Sequence, residues 1–119
     1  MGQVTADFIA AEPDGSRWRV VLVEEGPWRD DDVDNQLRRV QGRLYDMLDV
    51  ALDGGLWRLY PDSFQKPVTL QLDCYNVPED RVRTWFGRFA TGAVETPDYA
   101  KALRENKYVA GLSFELNCS

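Results

Sequence analysis

Residues 30–55 read DDDVDNQLRRVQGRLYDMLDVALDGG, and this stretch decides how the chain folds. Its apolar residues recur at intervals of three and four, which is the spacing of one face of an α-helix. They are Val33, Leu37, Val40, Leu44, Met47, Leu48, Ala51 and Leu52. The acidic run Asp30 to Asp32 suits a helix N-terminus, and Gly54 and Gly55 suit a helix end. The stretch therefore predicts a helix of about six turns with one buried face.

The segments on either side of this helix have the patterns of strands. Residues 4–11 and 17–25 are rich in β-formers, and the turn sequence Pro13-Asp14-Gly15-Ser16 between them predicts a β-hairpin. Residues 68–75 alternate apolar and polar side chains, which predicts a strand with one buried face. Residues 56–67 hold aromatic side chains without a clear period, so we expect an ordered loop over an edge of the core.

The C-terminal part continues with helices and a last strand. Pro78 followed by Glu79 predicts a helix start, with an interruption at Gly92 and a shorter helix from Thr96 to about Asn106. Residues 109–118 alternate again and predict a fourth strand, irregular near Gly111. The order β-β-α-β-α-(α)-β predicts one α+β domain over residues 1–119, a four-stranded mixed or antiparallel sheet with its helices on one face.

Composition narrows the chemistry. The 119 residues contain no histidine and only two cysteines, Cys74 and Cys118, so the commonest general base and metal ligand is missing. No glycine-rich phosphate loop or serine nucleophile motif is present, no catalytic residue is identified, and we expect neither a cofactor nor a metal. Both cysteines are predicted to face the core as thiols, and their sulfurs would be neighbours if their strands are adjacent and parallel.

The charge balance bears on partners and location. A formal net charge of −6 argues against binding nucleic acid or an anionic membrane surface. The first residues lack the basic and then apolar pattern of a signal peptide, and no stretch has the apolar length of a spanning helix. We therefore expect a cytoplasmic protein.

The densest group of charged side chains is acidic. It contains Glu24, Glu25, Asp30, Asp31, Asp32 and Asp34. A solvated, helix-capping role is favoured, while a site for a hard cation and acid/base chemistry by paired carboxylates remain alternatives. A third interpretation is a docking surface for a basic partner, with Trp28 beside it.

A second group mixes arginines with aromatic residues. Arg81 and Arg88 flank the predicted apolar stripe of their helix, and Trp85 lies beside that stripe, half exposed. Because arginine and aromatic residues are the usual anchors of protein interfaces, all three are candidates for partner binding. Trp57 and Tyr60 are candidates for the walls of a ligand pocket.

Several of these residues also occur in a known pattern. Trp28, the run Asp30 to Asp32, the run Val40-Gln41-Gly42-Arg43-Leu44, Gly54 or Gly55, and Tyr60-Pro61 follow one another in this order. Over residues 4–76 the chain thus resembles a family of small uncharacterised bacterial proteins, a domain of unknown function. The resemblance implies the fold and carries no established activity.

The sequence leaves three functions open. A non-catalytic protein–protein interaction module is favoured by the acidic surface and the missing catalytic motifs, with immunity proteins as an analogy. The alternative is a small-molecule-binding protein or a weak carboxylate- or metal-dependent enzyme. The third is a homodimer formed through an exposed strand edge or the Trp85 face.

Overall fold

A computed structural model of the protein describes residues 6–119, so Val4 and Thr5 of the predicted first strand lie outside the described residues. It is an α+β fold built on a four-stranded sheet, as predicted. The elements are β1 (Phe8–Ala11), β2 (Trp18–Glu25), α1 (Val33–Asp53), α2 (Gly55–Leu59), β3 (Lys66–Tyr75), α3 (Glu79–Glu95), α4 (Pro97–Glu105) and β4 (Val109–Cys118).

The sheet is mixed, with strand order β1-β2-β3-β4. β1 and β2 form the predicted antiparallel hairpin, whereas β2, β3 and β4 are parallel neighbours. Each parallel connection passes through helices, α1 and α2 first and then α3 and α4. Both crossovers move in the same direction across the sheet, and right-handed connections therefore place all the helices on one face.

The core fills the space between this covered face and the helices. Alternation in β2 and β3 directs Val20, Leu22, Leu70 and Leu72 inward, where they are at most 3% exposed. Leu44 from α1 is 0% exposed and meets them from the helical layer. The opposite, open face of the sheet carries mainly polar side chains, so the sheet has one apolar and one polar surface.

Three local predictions differ from the structure. Asp30–Asp32 form a 3-10 turn, and the α-helix begins only at Val33, without a side-chain cap. The loop predicted over residues 56–67 contains the short helix α2 and a 3-10 turn at Pro61–Ser63. α3 runs through Gly92 without interruption and ends at Glu95, because Pro97 restricts Thr96 to extended backbone.

Two other glycines behave as predicted. Gly54 ends α1 with a φ of 92°, a conformation that favours glycine, and the ring of Tyr108 leaves no room for a Cβ there. Near Gly111 the pairing of β3 with β4 shifts by one residue, since Lys66 pairs with Val109 but Pro67 pairs with Gly111. The predicted irregularity is thus a β-bulge at Ala110.

Candidate functional site

Carboxylates gather where β2 and β3 end. Because these strands are parallel, the helices that follow them both begin at the same end of the sheet. The first turns there carry the residues that we call the acidic rim: Asp30, Asp31, Asp32, Asp34, Glu79 and Asp80. Negative charge is favourable at helix N-termini, which explains why the rim is tolerated.

The members of the acidic rim differ in their contacts. Hydrogen bonds from Gln36 (2.8 Å) and Asn35 (3.0 Å) lower the pKa of Asp32, so it serves the start of α1. Asp34 pairs with Arg81 and so links α1 to α3. Asp31 pairs with Arg29 at 2.8 Å but keeps 69% of its side chain exposed. The outer part of the rim therefore presents negative charge to solvent.

A cleft of about 410 Å³ lies next to the rim, between α1 and α3. We call it the α1–α3 cleft, and its lining residues are Asp34, Leu37, Asp80, Arg81, Thr84, Trp85 and Arg88. It brings together four of the residues that the sequence proposes for partner binding, namely Asp34, Arg81, Trp85 and Arg88. The cleft thus combines an indole, a leucine and charges of both signs.

Trp85 is fixed in this cleft from two sides. Its Nε1–H donates a hydrogen bond to Oε1 of Gln41 on α1 at 3.2 Å. Its ring stacks on Phe89, with centroids 6.1 Å apart, while Phe89 is buried in the core. The indole is partly buried, so one part of it packs on the protein while the rest remains available in the cleft. A tryptophan held in this way loses little side-chain entropy when a partner covers it.

The other predicted aromatic candidates lie elsewhere. Trp28 is partly buried against the core. Trp57 stacks on Tyr108, with ring centroids 5.7 Å apart, and Tyr60 packs on Trp18, with ring centroids 5.2 Å apart. Trp57 and Tyr60 belong to the segment that joins α1 to β3, at the end of the sheet opposite the rim. They therefore cover the edge of the core there and do not line the α1–α3 cleft.

The sequence pattern predicts that Glu24 is one of the solvated carboxylates, but its side chain is only 5% exposed. It points inward from β2 and accepts hydrogen bonds from Arg43 at 2.6 Å and from Arg39. Burial by itself raises the pKa of Glu24, but the two guanidinium groups outweigh burial and hold this pKa below its usual value. Two features of the sequence indicate this buried cluster. Glu24 shares the inward alternation of Leu22, and the two arginines are four residues apart, on one face of α1.

The two cysteines are neighbours. Cys74 and Cys118 pair in register on β3 and β4, which are adjacent and parallel, and both are free thiols. Cys74 is buried and Cys118 partly buried. Burial raises the pKa of Cys74 to about 12 and also raises the pKa of Cys118. Neither sulfur is a thiolate near neutral pH, and the thiolate is the nucleophilic form.

Among residues 6–119, no three cysteine or carboxylate side chains are arranged to hold a metal ion. None of the helices in this part of the chain is both long and apolar enough to cross a membrane. Comparisons of the chain with protein-family models, with curated proteins and with solved structures each found no match. The resemblance over residues 4–76 thus stays a prediction.

Proposed function

We propose that this protein is a non-catalytic protein–protein interaction module that binds a basic partner through the α1–α3 cleft and the acidic rim. The observation that carries the proposal is the cleft, where a fixed indole lies among arginine and carboxylate groups. Tryptophan and arginine dominate the binding energy of protein interfaces, especially where surrounding residues exclude water.

The rim supports the choice of a basic partner. Asp30 and Asp31 are exposed beside the cleft, and the whole chain carries a net charge of −6. Clustered charge of one sign speeds the approach of an oppositely charged protein and orients it. The rim would then act on the association rate, while Trp85 and Arg88 in the cleft would act on the dissociation rate.

Capture of partners from a lysate of the source organism tests the proposal. The first variant, Asp30→Arg with Asp31→Arg, reverses charge on the rim without touching the ion pair of Asp34. Its matched control, Asp62→Arg with Glu105→Arg, makes the same change in charge at exposed positions away from the rim. We expect the wild type and the control to retain one basic protein and the rim variant to lose it. Equal recovery by both variants contradicts the proposal.

A second pair of variants tests the cleft. Arg88→Ala removes an exposed guanidinium from the lining, and Arg104→Ala does the same on α4. With the captured partner purified, we expect Arg88→Ala to bind at least about tenfold more weakly and Arg104→Ala to bind as the wild type. Surface plasmon resonance measures both. Unchanged affinity of Arg88→Ala would place the interface outside the cleft.

Within this proposal, immunity proteins are the class that fits best, because they are small proteins that neutralise a toxin by covering it. A partner of this kind would arrest growth when expressed alone. Co-expression of the wild type would restore growth, and co-expression of the rim variant would not. If the captured partner is not toxic, the protein remains an interaction module but is not an immunity protein.

The size of the α1–α3 cleft favours one alternative, a small-molecule-binding protein or a weak carboxylate- or metal-dependent enzyme. About 410 Å³ lies in the range of ligand pockets, and Asp34 and Asp80 could orient a cation or a polar ligand. Thermal shift against Mg²⁺ and a metabolite panel separates the two functions. A concentration-dependent stabilisation that Asp80→Asn abolishes supports the alternative, and a flat response removes it.

A further inference from the structure

The edge of the sheet at β4 is open. Within residues 6–119, β4 pairs with β3 and has no strand on its other side. The Ser119 N–H donates to the Cys74 carbonyl at 2.9 Å, and the Ser119 carbonyl accepts from the Asn76 N–H at 3.1 Å. Because backbone groups alternate in direction along a strand, Leu112, Phe114 and Leu116 direct their N–H and C=O groups outward.

β4 lacks the features that usually protect an edge strand. Natural edges are short, or carry lysine, proline or a bulge near their centre. β4 is ten residues long, and its bulge lies near its start, at Ala110. The strand contains neither proline nor lysine, and Glu115 is its one charged residue. From Gly111 to Cys118, β4 thus presents a regular edge whose outward N–H and C=O groups are available to hydrogen bond with another strand.

The apolar side of this edge is incompletely covered. Leu112, Phe114 and Leu116 face the helices and pack against the core, but they are only partly buried. Their counterparts on β3, Val68, Leu70 and Leu72, are 0–1% exposed. A strand added beside β4 would bury these side chains, as β4 buries their counterparts on β3.

We propose that β4 pairs antiparallel with β4 of a second copy of this chain, so that two sheets join into one across a two-fold axis at Phe114. The pairing places Phe114 opposite Phe114 and Leu112 opposite Leu116 of the other copy. These even-numbered residues are the ones whose backbone groups point outward, as hydrogen-bonded pairs in an antiparallel ladder require.

The self-complementary sequence of β4 favours a second copy as the occupant. In this register Glu115 lies opposite Ser113, so the only carboxylate of the strand meets a hydroxyl group. A two-fold axis at Glu115 would instead oppose two carboxylates, which is unfavourable for residues directly opposite each other. The strand is therefore complementary to itself around Phe114, which is the property that a two-fold interface needs.

The flank of α3 leaves room for this approach. Arg83, Gly87, Ala90 and Val94 share one helix face by their spacing. α3 packs on β4 through the contact of Phe89 with Phe114, whose ring centroids are 5.5 Å apart, and this face lies on the side of α3 opposite Trp85. Apart from the adjoining backbone of α3, no atom lies within 4 Å of the position where a Cβ of Gly87 would stand, and Val94 is 40% exposed. Gly87 and Ala90 thus leave space on this face, and the helices of two copies can approach each other there above the joined sheets.

Sedimentation velocity of the full chain tests the pairing. We expect the wild type to change from monomer to dimer as its concentration rises from about 1 to about 100 µM. Ser113→Glu sets a carboxylate opposite Glu115 twice in the dimer and should raise the dissociation constant at least about tenfold. The swap Ser113→Glu with Glu115→Ser restores a carboxylate opposite a hydroxyl group and should restore the dimer. A monomeric wild type, a dimer indifferent to Ser113→Glu, or a swap without rescue each overturns the proposal.

A second pair of variants does not alter β4. Gly87→Glu adds a carboxylate to the flank of α3, and Gly42→Glu adds one to α1; both glycines are exposed and have open space around them. Either change raises helix propensity, so both variants should fold. We expect Gly87→Glu to weaken the dimer at least about fivefold and Gly42→Glu to leave it unchanged. The same dissociation constant for both variants overturns the proposal.

Discussion

The covered and the open faces of the sheet each hold a cluster of arginine and carboxylate groups, but the two clusters differ in burial. On the covered face, Glu24 is 5% exposed and binds Arg39 and Arg43 of α1. On the open face, the Arg19 guanidinium contacts Glu12 at 2.8 Å and Glu115 at 3.0 Å, with all three side chains about a third or more exposed.

Burial makes the ion pairs of the covered face stabilise the fold more than those of the open face. Attraction between charges is stronger away from water, and an unpaired buried charge is costly. The Glu24 cluster therefore fixes the position of α1 on β2, and with it the place of the acidic rim. The Arg19 cluster crosses β2, β3 and β4 through Gln71 and Glu115, where water competes for every contact. We expect it to contribute little to stability.

The largest expected effect is on the covered face. Glu24→Ala should lower the free energy of unfolding by about 2 to 3 kcal/mol, because two guanidinium groups lose their shared partner and a small cavity forms. Arg39 is about half exposed and regains water, which keeps the loss below that of a fully buried pair. Urea denaturation at pH 7 and fixed protein concentration measures the change. A decrease in the free energy of unfolding of less than about 1 kcal/mol would show that the ion pairs of the two faces stabilise the fold equally.

A pH series sharpens the comparison. The folded pKa of Glu24 is lowered, so its ionised form stabilises the fold above its ordinary pKa, and this contribution is lost as pH falls through the lowered value. Glu24→Gln removes the ionisation and keeps the size. We expect the stability difference between wild type and variant to be largest near pH 7 and to shrink steadily below about pH 5. Denaturation curves at each pH give the difference, and a constant difference refutes the role of ionisation.

Local patterns predicted the framework of this fold. The apolar stripe of α1 and the alternation in β2, β3 and β4 depend on neighbours in sequence, and all four elements are present. α2 was missed because its five residues are too few to show a helical period. The break at Gly92 was misplaced because a glycine tolerates a helix at some cost, whereas Pro97 dictates the backbone before it.

The site was predictable only in part. The mixture of arginine and aromatic residues indicates Trp85, Arg81 and Arg88 as interface residues, and the acidic run indicates Asp34. That Asp34 meets Arg81, 47 residues away, depends on the parallel order of β2 and β3, which alternation cannot reveal. The contact of Glu24 with Arg39 and Arg43 is different, because alternation in β2 and the four-residue spacing of the arginines already indicate it in the sequence. Contacts between distant segments follow from strand order, and strand order is a property of the whole chain.

The smallest expected effect completes the comparison on the open face. Glu12→Ala makes the same substitution as Glu24→Ala and removes one of the two ion pairs of Arg19, while the backbone hydrogen bonds of residue 12 remain. Because Arg19 keeps Gln71 and Glu115 as partners and water reaches the site, the loss should stay below about 1 kcal/mol and fall further in about 0.5 M salt. The same urea titration measures it. A loss as large as that of Glu24→Ala would show that polar contacts across the strands stabilise the open face as strongly as burial stabilises the covered one.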